Sequence, residues 1–189
     1  MAKANIDSED DKDIQWHLNA AQAGDTRAQG FLAFMYLTGG GVTQDYQEAQ
    51  MWAEIAAAQH DALAQYVLAL LYGNGWSVAK NECKAIEYER LAAEQGLPQA
   101  AYNLGFRYRT GKGVRIGVTR AYKMYNQAVV GYKKVTESDP HARKYLKDAI
   151  SFRRFMRIFY LLQRLSLIVS YSGLGKNRPI HQAAMIGDT

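Results

Sequence analysis

The sequence predicts an all-α solenoid of stacked helical hairpins, on three observations. A gapless internal period of 36 residues runs through more than half of the 189-residue chain, apolar positions fall at helical spacing twice within each period, and a glycine closes the first helical stretch of every copy. The period is read in the columns Ala28, Ala64, Ala100, then Leu32, Leu68, Leu104, then Tyr36, Tyr72, Tyr108. It continues through Gly39, Gly75, Gly111, through Val42, Val78, Val114, and into Ala49, Ala85, Ala121 and Ala56, Ala92, Ala128. So many matched columns over three copies exclude compositional accident.

In chain order, residues 1–13 form an acidic N-terminal segment (Asp7, Glu9, Asp10, Asp11, Asp13), expected to be flexible and without the basic-then-apolar order of a signal peptide. The longest apolar run, Ile158 to Tyr171, is broken by Gln163 and Arg164 and is too short to span a bilayer, so the expected location is cytoplasmic. A half repeat is expected at 14–23, because Trp16, Ala20 and Ala21 sit one period before Trp52, Ala56 and Ala57. Full repeats follow at 24–59, 60–95 and 96–131. In the first of them Ala28, Leu32, Ala33 and Tyr36 mark one helix face, and Ala49, Trp52 and Ile55 or Ala56 mark a second.

Asp25 and Asp61 are placed to cap first helices through their carboxylates, and Pro98 suits the first turn of the third. Gly39, Gly75 and Gly111 end these helices, where a positive φ costs little. Small residues at Ala33, Ala69 and Gly105 let the two helices of a pair approach closely. A hairpin cannot bury its apolar faces alone, so the copies must stack. The period fails after Tyr132. Residues 133–172 read as a C-terminal helical cap opened by Ser138, Asp139 and Pro140. Its apolar stripe is Phe152, Phe155 or Met156, Phe159, Leu162, Leu165 or Ser166, and Val169, with Arg153, Arg154, Arg157 and Arg164 beside or opposite. Gly173, Gly175, Asn177 and Pro179 announce a flexible tail over 173–189.

Chemistry-bearing constellations do not emerge from the sequence. His17, His60, His141 and His181 are scattered, and Cys83 has no second cysteine, so no metal site is expected and Cys83 reads as a buried, inert thiol. The segments Gly39-Gly40-Gly41 and Gly111-Lys112-Gly113 follow no strand and match no phosphate loop. No nucleophile elbow occurs. The expectation is a non-enzyme with no catalytic residues and no cofactor. Net charge is +5, but residues 1–100 hold 6 Lys/Arg against 14 Asp/Glu while residues 101–189 hold 17 against 4. Such polarity can steer a charged partner. Nucleic acid is disfavoured as that partner, because no reader motif accompanies the basic residues and the acidic half would repel a duplex.

The repeat resembles the Sel-one-like repeat family, relatives of the tetratricopeptide repeats. The motif that carries the resemblance is Ala100, Leu104, Gly105, Tyr108, Gly111, Gly113, Val114, with the second half at Asp45, Ala49, Trp52, Ala56, Ala57. Departures are Ser77 for the second loop glycine, Gly117 for the aspartate of the third copy, and His60 and Tyr132 for the terminal glycine. The resemblance spans about Ile14 to Tyr132 and implies a right-handed α/α superhelix whose first helices line a concave groove. At 100° per residue, positions 27, 31, 34 and 38 lie opposite the core columns. The resemblance therefore assigns to the groove Arg27, Phe31 and Phe34, then Leu63, Val67 and Leu70, then Gln99, Asn103, Phe106 and Arg107.

This wall would hold a peptide, helix or folded domain of a partner protein, making the chain an adaptor. Two readings of the apolar ladder stay open beside it: neighbouring first helices pack on each other there, or the C-terminal helix folds back over it. The resemblance also implies an alternative role as a bacterial immunity protein neutralising a secreted toxin such as a type VI phospholipase effector. A third reading is a membrane-associated assembly factor, in which Arg153, Arg154, Arg157 and Arg164 meet an anionic membrane surface or an acidic partner. The sequence leaves the oligomeric state open.

Overall fold

The computed structural model describes residues 9–135 and 142–171. These form α1 (Glu9–Gln22), α2 (Thr26–Thr38), α3 (Tyr46–Ala58), α4 (Ala62–Asn74), α5 (Glu82–Glu94), α6 (Pro98–Thr110), α7 (Val118–Val135) and α8 (Ala142–Tyr171), and among the described residues there is no strand. Helix α1 begins at Glu9, inside the acidic segment expected to be flexible. The cap expected at Ser138, Asp139 and Pro140 and the tail from Gly173 lie outside the described residues.

Local chemistry sets the helix ends. The Asp25 carboxylate accepts from the Ala28 N–H at 2.8 Å and that of Asp61 from Ala64 at 2.7 Å, while α6 opens on Pro98 with no side-chain cap. Gly39, Gly75 and Gly111 close α2, α4 and α6 at φ of 75°, 79° and 78°, each donating its N–H to a carbonyl four residues back. Each loop then returns by the same bond: the N–H of Asp45, Asn81 and Gly117 donates to the carbonyl of Tyr36, Tyr72 and Tyr108 at 3.0, 2.8 and 3.0 Å. The period of the sequence is thus a period of backbone hydrogen bonds.

Packing follows the chain. Helices pair as α2 with α3, α4 with α5 and α6 with α7, α1 lies on α2, and each hairpin rests on the next through α3 with α4 and α5 with α6. The repeat columns form the interior: Leu32, Ala33, Ala49, Ala56, Ala64, Leu68, Ala85, Ala92, Ala100, Leu104, Ala121 and Ala128 are all buried. Of the two residues offered by the sequence for α3, Ala56 is buried and Ile55 exposed. A Cβ on Gly105 would lie 3.0 Å from the Tyr125 ring, so any larger residue there needs that ring to give by a few tenths of an ångström. Polar links cross the layers as well. Gln59 Nε2 donates to buried Gln29 Oε1 at 3.2 Å, and one repeat on, Gln95 Nε2 donates to buried Gln65 Oε1 at 2.8 Å.

Helix α8 starts as the first helix of a further hairpin. Ala142, Leu146 and Ile150 keep the spacing of Ala100, Leu104 and Tyr108 and join the core formed by Ala128, Val129 and Tyr132. Counting on from that match, Arg153 stands where Gly111 would stop the helix, and α8 runs on to 30 residues. It lies antiparallel to α7 through the ring pairs Tyr132 with Tyr145, Tyr125 with Phe152 and Tyr122 with Tyr160. Since α7 begins at Val118, α8 outruns its support beyond Tyr160. The single stripe expected along α8 therefore divides: Phe152 and Met156 pack inward, whereas Phe155, Phe159, Leu162 and Leu165 are exposed.

Cys83 corrects another expectation, since it sits exposed in the first turn of α5, on the face away from the core. It should react fully with a maleimide in the native protein, without denaturant. Gly105→Ala should cost about 1–3 kcal/mol by forcing the Tyr125 ring aside, read as a lower urea midpoint with an unchanged slope.

Candidate protein-binding site

The first helices place the expected wall residues unevenly. Arg27 and Phe31 on α2 and Phe106 on α6 are exposed; Phe34, Leu63, Leu70, Gln99 and Asn103 are half-buried. Val67 corrects the expectation outright, because it is fully buried in the cluster that holds Ala33, Leu37 and Leu71. The reason is that α4 is an inner helix, in contact with α2 as well as with α3 and α5, so a position opposite the hairpin core faces a neighbouring first helix instead of solvent. Phe34 and Leu70 pack against the same cluster from its edge. Packing between first helices is thus realised in the middle of the wall and not at its ends. Among the described residues α8 lies along α7, and Phe31 and Phe106 keep 40% exposure each.

Each exposed ring has a polar companion. Phe31 lies 4.4 Å from the His17 ring, which meets Trp16 edge-on. The Arg109 guanidinium stands 5.2 Å over Phe106 and 4.6 Å over Phe152, and donates to the Tyr125 hydroxyl at 3.4 Å. Two recesses adjoin these rings. One, of about 860 Å³, runs along the starts of α2 and α4 and is bordered by Trp16, His17, Arg27, Phe31 and Leu63. The other, of about 200 Å³, lies between α4 and α6 and is lined by Leu70, Asn74, Asn103, Phe106 and Lys112, with Glu89 and Arg107 in its wall. Asn103 also donates to the hydroxyl of Tyr66, whose pKa burial pushes up to about 12.

Arg107 is not the free groove cation expected. It is buried, donating from Nε to Glu89 Oε2 at 2.6 Å, from Nη2 to Glu89 Oε1 at 3.3 Å, and from Nη1 to Glu82 Oε1 at 2.6 Å. Burial holds the Glu89 carboxyl above the usual carboxylate range despite the arginine, while the Arg107 hydrogen bond holds Glu82 below it. Burial pulls the Arg107 guanidinium down, but bonding to Glu89 and Glu82 outweighs it and leaves the group raised. The preceding layer has an apolar pair at the equivalent places, Leu71 on α4 and Ala53 on α3, both in one core cluster. The sequence carries a signal for this site in two columns that change together, Met35, Leu71, Arg107 and Ala53, Glu89, Tyr125.

Charges aside, the described residues contain no group of three or more His, Cys, Asp or Glu able to hold a metal ion, and no helix long and apolar enough to cross a membrane. A wall of stacked hairpins with aromatic ends defines an α-solenoid. The Sel1 repeat family model matches residues 26–61, 62–97 and 98–129, more than half of the chain, which therefore belongs to the Sel1 repeat family. Repeats of this family typically mediate protein–protein interaction.

Among solved structures, the chain is similar to a Sel1 repeat protein from Oxalobacter formigenes at 31% identity and a TM-score of 0.57, over 75% of this chain and 55% of that one. It is also similar to c5321, described as a protective antigen of uropathogenic Escherichia coli with an SLR fold, at 34% identity and a TM-score of 0.56. That match covers 74% of this chain and 29% of the other. The chain thus spans about half the length of the first and under a third of the second. The immunity protein Pa5087 from Pseudomonas aeruginosa matches at 20% identity and a TM-score of 0.38, over 82% of this chain and 77% of that one, a likeness too loose to bear on function. No curated protein matches.

Arg107→Ala should destabilise the fold by about 3–5 kcal/mol, because it strands a buried carboxylate. The pair Arg107→Leu with Glu89→Ala, which copies the neighbouring layer, should recover most of that loss. Urea unfolding of the three proteins side by side checks both statements.

Proposed function

We propose that the chain is a non-catalytic protein-binding module that holds a partner protein against the face made by α2, α4 and α6. The observation that carries this reading is the pair of exposed phenyl rings, Phe31 and Phe106, beside recesses that mix apolar and polar lining. Large rings with polar neighbours at the edge of a recess are the usual anchors of protein recognition. The buried middle of the wall, closed by Val67, serves as a stiff base that holds the two anchors at a fixed separation. Little ordering entropy then opposes docking. Arg27 at one end and Arg109 at the other add charge recognition.

An inhibitory role against a toxin would use the same face and differs in its product, a one-to-one complex that survives gel filtration. An adaptor exchanges partners. For either, the test is capture from a native lysate with identification by mass spectrometry. Phe31→Ser with Phe106→Ser should lower capture of the dominant partner at least about tenfold, with helical circular dichroism retained because both rings stand outside the buried core clusters. Undiminished capture would remove the proposal. Phe34 and Leu70 are unsuitable targets, since truncating either would loosen the core as well.

A further inference from the structure

The outer part of α8 is a second surface, separate from the α2, α4 and α6 face. Phe155, Ile158, Phe159, Leu161, Leu162 and Leu165 are each between 48% and 60% exposed. Soluble monomers seldom leave so continuous an apolar patch uncovered. At 100° per residue these six positions occupy a sector about 160° wide. The side packed on the solenoid, marked by Ala149, Phe152 and Met156, lies outside that sector. Arg153 and Arg157 fall on the flank between the two faces, and Arg154 lies just inside the apolar sector at that same edge. Over Ala149 to Tyr171 the sequence carries four arginines and no carboxylate.

We propose that this face of α8 docks on an anionic membrane surface, lying in the headgroup region without spanning the bilayer. Breadth and charge select this occupant over a second copy of the chain. A helix pair buries a narrow seam, whereas a wide apolar face edged by arginines suits a helix lying in an interface, with aromatic and aliphatic side chains below and guanidinium groups at phosphate level. Two copies joined through α8 would also bring arginine flanks together with no carboxylate on either helix beyond Asp148. The absence of a crossing helix among the described residues agrees with surface docking. The site lies on the side of α8 turned away from its packed residues Phe152 and Met156, so it leaves the α2, α4 and α6 face free to hold a partner at the membrane.

Cosedimentation of the full chain tests this, using vesicles of phosphatidylcholine mixed with phosphatidylglycerol against vesicles of phosphatidylcholine alone. The chain should sediment with the mixed vesicles, less so as salt is raised, and remain in solution with the neutral ones. Arg154→Gln with Arg157→Gln should weaken binding about 30-fold, at roughly fivefold per arginine. Phe155→Ser, Phe159→Ser and Leu162→Ser together should weaken it at least about tenfold, with helical circular dichroism retained. The proposal is overturned if the chain ignores the mixed vesicles, binds the neutral ones equally, or keeps its binding in both variants. It is overturned equally if analytical ultracentrifugation finds a dimer that the triple substitution disperses, since a second copy would then cover the face.

Discussion

Close approach of helices at columns of alanine and glycine is the constraint on which this structure depends. Ala28, Ala64 and Ala100, Ala49, Ala85 and Ala121, and Ala56, Ala92 and Ala128 are all buried, and a methyl group at Gly105 would press on the Tyr125 ring at 3.0 Å. A helical hairpin of this length exposes one apolar flank to each side and is not stable alone. Small side chains bring successive backbones near enough for leucines and tyrosines to interleave. The returning loops, closed by one repeated hydrogen bond, hold the hairpins in register. Rigidity and array length follow from that arrangement, and a rigid face can carry anchors at set distances.

The same constraint decides where function can reside. Inner helices are contacted from several sides, so their residues are drawn into the core whatever their polarity. Val67 is lost to the surface for that reason, and Arg107 is buried only because Glu89 and Glu82 come with it. Candidate anchors survive where coverage is one-sided, at Phe31 near the start of the array and at Phe106 near its end. A buried arginine flanked by two carboxylates contributes little net stability compared with an apolar pair. It does make the contact between the second and third hairpins chemically unlike that between the first and second.

Beyond the third hairpin the pattern is spent in a different way. Helix α8 closes the core with Ala142, Leu146, Ala149 and Met156, then continues without a glycine to stop it and, among the described residues, without a second helix to cover it. Closing the open end of a solenoid needs one apolar face; α8 has more. The acidic and basic halves of the chain fall at opposite ends of the array, so the overhang sits in the basic half.

The sequence by itself determined the hairpins, their number, their caps and their core columns, because each depends on contacts within one period that recur three times. Asp25, Asp61, Pro98 and the three turn glycines were legible for the same reason: capping is chemistry between near neighbours in the chain. Which wall residues stay exposed was decided only by tertiary structure. A helical wheel separates the two sides of one helix but does not count how many other helices touch the far side, so Val67 and Phe31 look alike in sequence and differ in space. Cys83 and the Arg107 site were misjudged on related grounds. Exposure on α5 and pairing between α5 and α6 depend on how one layer rests on the next, which is a property of the stack.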